Sequence, residues 1–150
     1  MKHAPLIVLS LCFLLLTNSG PSRAEDNREM VELPAMMQEH MLANMRDHLA
    51  AIDEILAALA RNNGSEAANI AETRLGLTSL ESHGARHMAR FMPEPMRALG
   101  TEMHRAASRF AEQAQTSDIE PSVETQRYLF KGLGEVTTAC VGCHQAYRIR

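Results

Sequence analysis

Apolar residues recur at intervals of three and four along most of this chain. Across residues 33–61, Met37, Met41, Met45, His48, Leu49, Ile52, Ile55, Leu56 and Leu59 keep to one side of a 3.6-residue period. Ile70, Leu77, Leu80, Gly84, Met88 and Phe91 repeat the pattern, as do Met96, Leu99, Met103, Ala106 and Phe110. A fourth stretch carries Leu129, Leu133, Val136, Cys140, His144 and Tyr147. Each predicts an amphipathic helix, and no window alternates with the period of a strand.

Polar and proline-containing breaks separate the four stretches at Asn62-Asn63-Gly64-Ser65, at Met92-Pro93-Glu94-Pro95 and at Thr116-Ser117-Asp118-Ile119-Glu120-Pro121. Gly64 is expected to end the first helix at C′ and Ser65 to cap the second, with Glu66 in its first turn. Pro95 and Pro121 suit first turns, where a missing N–H costs nothing. Long helices joined by short connections favour antiparallel neighbours. The expected fold is all-α, an up-down-up-down four-helix bundle spanning residues 25–150. No internal repeat or low-complexity segment interrupts it.

The N-terminus has a different pattern. Lys2 and His3 precede an apolar run over residues 4–16, and a polar stretch then leads to Ser22-Arg23-Ala24. This is the layout of a secretory signal peptide, residues 1–24, with cleavage expected after Ala24. The run is too short for a permanent membrane span. Bulky Leu11 before Cys12 and the apolar run after it argue against a lipid-modified cysteine, so Cys12 leaves with the peptide.

Composition changes the picture in two ways. The chain has 150 residues with ten Met, no Trp, four Phe and two Tyr, so few rings are available to fill a core. The remaining 126 residues carry thirteen Lys and Arg against eighteen Asp and Glu, a charge of −5. Such an acidic chain lacks the basic footprint of a nucleic-acid binder and suits a partner with a basic docking surface. An exported protein with two remaining cysteines would ordinarily suggest a disulfide. Their spacing suggests otherwise.

Cys140-Val141-Gly142-Cys143-His144 is the C-x-x-C-H signature of covalent c-type haem attachment. On a helix, Cys140 and Cys143 project from adjacent turns of one face, placed to form thioethers with the two haem vinyls. His144, four residues after Cys140, then directs its imidazole at the iron. A redox dithiol would be expected with a βαβ pattern, and a zinc site with a second Cys/His pair. Neither accompanies this motif. Export fits haem attachment outside the cytosol and a periplasmic location.

The motif continues as Gln145-Ala146-Tyr147-Arg148, and with four amphipathic helices before it the chain resembles the class II cytochrome c family, the cytochromes c′ and their low-spin relatives. In that family the motif ends the fourth helix and an aromatic-Arg pair follows. Low-spin members carry a Met near the start of helix one, with Asn seven and Met eight residues later; Met37, Asn44, Met45, Leu49 and Ile52 fit that register. Leu33 replaces an Arg often found one turn before the distal residue. The resemblance implies one haem c per chain, electron transport without an enzymatic reaction, and pairing of two bundles as a homodimer through helices one and two.

Antiparallel geometry puts the end of helix four level with the start of helix one, the end of helix two and the start of helix three. His144, Met37 and Met88 each lie about four residues, or ~6 Å, from their helix ends. Met37 is the expected distal iron ligand, with Met41 and His40 as neighbours that compete for the role and core filler as the plainer one. Phe91 is expected to pack on the haem and Arg148 to shield its proximal side. Arg86, Arg90 and Arg97 are candidates for the propionates. His83 and His87 share a helix face, and with Met92, Met96 and His104 they form a candidate copper site.

Three functions compete. A His144/Met37-ligated haem would carry electrons in the periplasm. A Met37 that crowds the iron without binding it would leave a five-coordinate haem for nitric oxide or carbon monoxide. A Met/His-rich bundle that handles metal would make haem secondary.

Overall fold

The computed structural model describes residues 25–150, and the expected signal peptide lies outside the described residues. The chain is predominantly helical. Three long helices dominate: α1 (Ala35–Ala60), α4 (Glu94–Ile119) and α5 (Val123–Ala146). Between α1 and α4 the chain forms α2 (Gly64–Ile70) and the one-turn α3 (Ala85–Met88), linked by tighter and looser turns. No described helix is long and apolar enough to cross a membrane.

Helix α1 starts after Pro34, whose carbonyl accepts from Gln38 N–H at 2.9 Å. Its buried residues are Met41, His48, Ala51, Ile55 and Ala58, a narrower stripe than the periodicity suggested. Leu49 is 73% exposed and Leu56 46%, each one position past the stripe and turned outward. The helix ends with Asn62 in the left-handed region, φ 54°, and Asn63 N–H bonding back to Ala58 O at 3.0 Å. Asn tolerates that conformation, so it fills the terminating role expected of Gly64.

Asn63, not Ser65, caps α2: its side chain accepts from Glu66 N–H at 3.0 Å. Asp118, at the far end of α4, accepts from Gly64 N–H at 2.7 Å and from Ser65 N–H at 2.6 Å. A carboxylate over a helix N-terminus satisfies orphan donors, so it ties α2 to α4. A Cβ on Gly64 would collide with Ala114 O, which makes close contact the reason for glycine here.

The second predicted helix is not continuous. α2 widens into a π turn over Ala71–Leu75, where Gly76 N–H reaches Ala71 O at 2.8 Å. A 3-10 turn, Leu77–Leu80, follows, and Gly84 at φ 63° turns the chain into α3 and a further 3-10 turn, Ala89–Phe91. Periodicity could not register this, because apolar residues spaced by three or four serve short turns as well as one long helix.

Pro95 sits in the first turn of α4 as expected. Pro121 instead precedes the cap of α5, where Ser122 and Thr125 bond reciprocally as a capping box. The N-terminal strand β1 (Glu29–Met30) pairs in parallel with β2 (Tyr147–Arg148), a two-residue ladder too short to show alternation in sequence. Val31 N–H extends it to Arg148 O at 2.8 Å, and the Gln38 side chain donates to Ile149 O. The start of α1 and the end of α5 therefore share one level.

Two apolar clusters result. One gathers the second half of α1, α2, most of α4 and the first half of α5 around Ile55, Phe110 and Val136. The other joins Val31, Met41, Met88 and Met96, with Cys143 and Tyr147 packed against them. The expected meeting of the starts of α1 and α4, the Met88 turn and the end of α5 is present in this second cluster.

Candidate functional site

The last turns of α5 carry the C-x-x-C-H residues to the edge of the methionine cluster. Cys140 and Cys143 are half-buried and unbridged, and burial pushes both thiols up from their ordinary pKa. Cys140 packs on the Phe110 cluster and Cys143 on the methionine cluster, so the motif spans the boundary between them. His144 is exposed at the helix end, and its carbonyl accepts from Arg28 Nη1 at 3.2 Å. A side chain at Gly142 would press on Leu99 of α4, 3.2 Å away, so glycine lets the motif lie close to that helix.

Beside the motif opens a cavity of about 580 Å³. Cys143, His144 and Tyr147 form one wall, Met41, Met45 and His48 of α1 form another, and Met88, Met92, Met96 and Met103 are among the remaining lining residues. That volume lies within the range of about 300–1,000 Å³ usual for cofactor pockets, and an apolar lining with few polar groups is the usual character of such sites. Arg28, Arg97, Arg148 and Arg150 also line it. Arg148 Nε is buried without a hydrogen-bond partner, while Asp26 stands 3.8 Å away as an ion-pair partner. An unsatisfied guanidinium nitrogen at a cavity wall suits an anionic group on a ligand.

The other expected residues divide. Met41 is buried and lines the cavity, whereas Met37 is half-buried and lies outside the lining. Phe91 is also outside it, with the Arg90 guanidinium 5.6 Å above its ring. Arg97 lines the cavity but Arg86 and Arg90 do not. His40 donates from Nε2 to His83 O at 3.0 Å, and Asn44 Nδ2 donates to the same carbonyl at 3.0 Å, so α1 holds the irregular segment in place.

His83 and His87 do not pair as a shared helix face would require, because the chain between them turns at Gly84; His83 is buried and His87 exposed. His83 instead meets His48 and His104, with ring centroids 4.8 Å and 5.5 Å away. Burial lowers the pKa of all three, His48 to about 4. They are neutral at pH 7. His48 had no distinguishing signal in the sequence beyond its place in the periodic pattern, and the buried Ser79 beside His83 had none.

Comparison with protein-family models, curated proteins and solved structures finds no significant match. The likeness to class II cytochromes c therefore rests on the residues quoted above.

Proposed function

We propose that the protein is a periplasmic c-type cytochrome that transfers electrons through one covalently held haem, built on a cytochrome c′-like four-helix bundle. The observation that carries this reading is the position of the C-x-x-C-H motif: Cys143 and His144 stand at the wall of a methionine-lined cavity of cofactor size, and the second free, half-buried thiol, Cys140, lies one turn before them. Cys140 and Cys143 would hold the haem as thioethers and His144 would ligate its iron. Haem so held supplies a one-electron iron couple, which thioether ligation shifts toward higher potential.

The chain's own residues do the rest. Met88, Met92 and Met96 exclude water and follow the shape of a rigid macrocycle, as flexible thioethers can. Arg148 and Arg97 offer cations to the propionates. Helix α1 would provide a second iron ligand. Met37 has the register of the family resemblance but lies outside the cavity lining; Met41 and Met45 both line the cavity, and Met41, one turn on from Met37 and buried, is the favoured ligand. The acidic mature surface suits a redox partner with a basic docking face. Exposed Leu49 and Leu56 on one side of α1 support pairing of two chains through that helix.

Optical spectra of the purified protein test the reading. A low-spin spectrum with a far-red thioether–iron band is expected, lost in Met41→Ala and kept in Met37→Ala. Retention of the band in Met41→Ala and its loss in Met37→Ala would return the ligand to Met37. A high-spin ferrous spectrum that shifts with nitric oxide would make the protein a gas-binding cytochrome c′ instead. Covalent haem persisting in a Cys140→Ser, Cys143→Ser chain would end the proposal.

A further inference from the structure

The haem reading leaves three histidines unexplained. His48 of α1, His83 of the irregular segment and His104 of α4 are 8–9% exposed, and each lines the cavity. Their ring centroids are 4.8, 5.5 and 6.1 Å apart. Three imidazoles bound to one ion through nitrogens about 2 Å away would have centroids about 5 to 5.5 Å apart. One separation falls in that range and the other two lie within about 0.6 Å of it, so small side-chain rotations would bring the three rings to a ligand set.

The hydrogen bonding points the same way. His104 Nδ1–H donates to Leu75 O at 2.7 Å, which fixes the tautomer and leaves Nε2 as the unprotonated nitrogen. His48 Nε2 faces His83 Nδ1 at 3.5 Å, and Ser79 Oγ stands 3.3 Å from the same Nδ1. The Ser79 hydroxyl proton is already committed to Gly76 O at 2.7 Å. Apart from the His104 bond, these imidazole contacts are long, at 3.3 and 3.5 Å, so they hold the rings only weakly in their present orientation. The rings are not a finished coordination sphere, since no three ligating groups among the described residues already converge as a metal site. Rotation about side-chain bonds is needed to close it.

We propose that His48, His83 and His104 form a second metal site, separate from the C-x-x-C-H motif, that takes one Cu(I) ion. Charge selects the ion. Asp47, next to His48 on α1, is engaged by Arg74 at 2.6 Å, so its charge is largely balanced and the cluster's own ligating groups are neutral imidazoles. The desolvation cost of a buried ion rises with the square of its charge, which favours a monovalent ion over a divalent one among neutral ligands. Met45, one turn before His48, and Met103, next to His104, line the same cavity and bring thioethers that prefer cuprous copper. Burial already holds the three rings neutral, so protons do not compete at pH 7.

The test is anaerobic titration of the haem-loaded protein with Cu(I) against a chromophoric chelator, repeated on the Cys140→Ser, Cys143→Ser chain so that neither haem nor free thiols contribute. One Cu(I) per chain is expected in both, with imidazole scattering in the X-ray absorption spectrum. His48→Gln and His104→Gln should each weaken binding at least about a hundredfold. His87→Gln should bind as the parent does, and circular dichroism identifies any variant that fails to fold; a folded double variant, His48→Gln with His104→Gln, must bind none. No binding by either parent, undiminished binding in the folded triad variants, or displacement of Cu(I) by equimolar Zn²⁺ would overturn the proposal. Haem attachment is read separately from its absorbance, so neither result decides the other.

Discussion

Around Phe110, ten of the seventeen buried residues are alanine, and Ala51, Ala58, Ala67 and Ala114 have no exposed surface. Around Met88 the buried residues are three methionines and a valine, beside a cavity of about 580 Å³. The same three long helices build both ends. Small side chains let backbones approach closely at the first, while long flexible thioethers line a space at the second. Stability is expected to concentrate at the alanine end and adaptability at the methionine end.

Several changes would break or sharpen this contrast. The largest effect is expected from Phe110→Ala, which should lower unfolding free energy by about 3–5 kcal/mol in urea denaturation. Met96→Leu, equally buried but at the open end, should cost less than about 1.5 kcal/mol. Equal losses would show that the two ends are packed alike.

A pH series probes the open end. Histidines with lowered pKa in the folded chain bind fewer protons than in the unfolded chain, so stability rises with pH. It is fully present above the ordinary value of 6.5 and is lost as pH falls toward about 4, where His48 protonates. The slope approaches ~1.4 kcal/mol per pH unit for each histidine. Asp47 and Arg74, beside the cluster, keep their charges across this window because their pairing lowers the first pKa and raises the second. His48→Gln should flatten the profile between pH 4 and 6.5; an unchanged slope there would remove the cluster as its source.

Gly64→Ala acts at the closed end, where a Cβ would strike Ala114 O between α2 and α4. A loss of about 1–3 kcal/mol is expected in a thermal or urea melt. The smallest change is expected from Arg74→Ala. It breaks ion pairs of 2.6 Å to Asp47 and to Glu54, but both carboxylates are about half exposed, so the cost should stay near 1 kcal/mol or below.

The long helices were legible because each repeats one period over more than twenty residues and polar or proline-containing breaks separate them; they begin after Pro34, Pro93 and the Ser122 cap. Outward-facing Leu49 and Leu56 were less so: a one-position error is small on a helical wheel but decides which side chain meets a neighbour. The break-up of the second stretch at Gly76 and Gly84 was hidden for a different reason. It depends on partners distant in sequence, such as Ser108 Oγ accepting from Leu77 N–H at 2.9 Å and the two α1 donors on His83 O.

By itself, then, the sequence determined an all-α chain, its three long helices and the cysteine–histidine motif, because local periodicity, capping and spacing encode these within a few turns. Tertiary structure decided that Met41 and Met45 of α1, and not Met37, line the motif's cavity, and that His48, His83 and His104, separated by 35 and 21 positions, meet in one buried cluster. Those outcomes depend on the rotation of each helix about its axis and on where Gly84 reverses the chain, and only packing among all the elements fixes them.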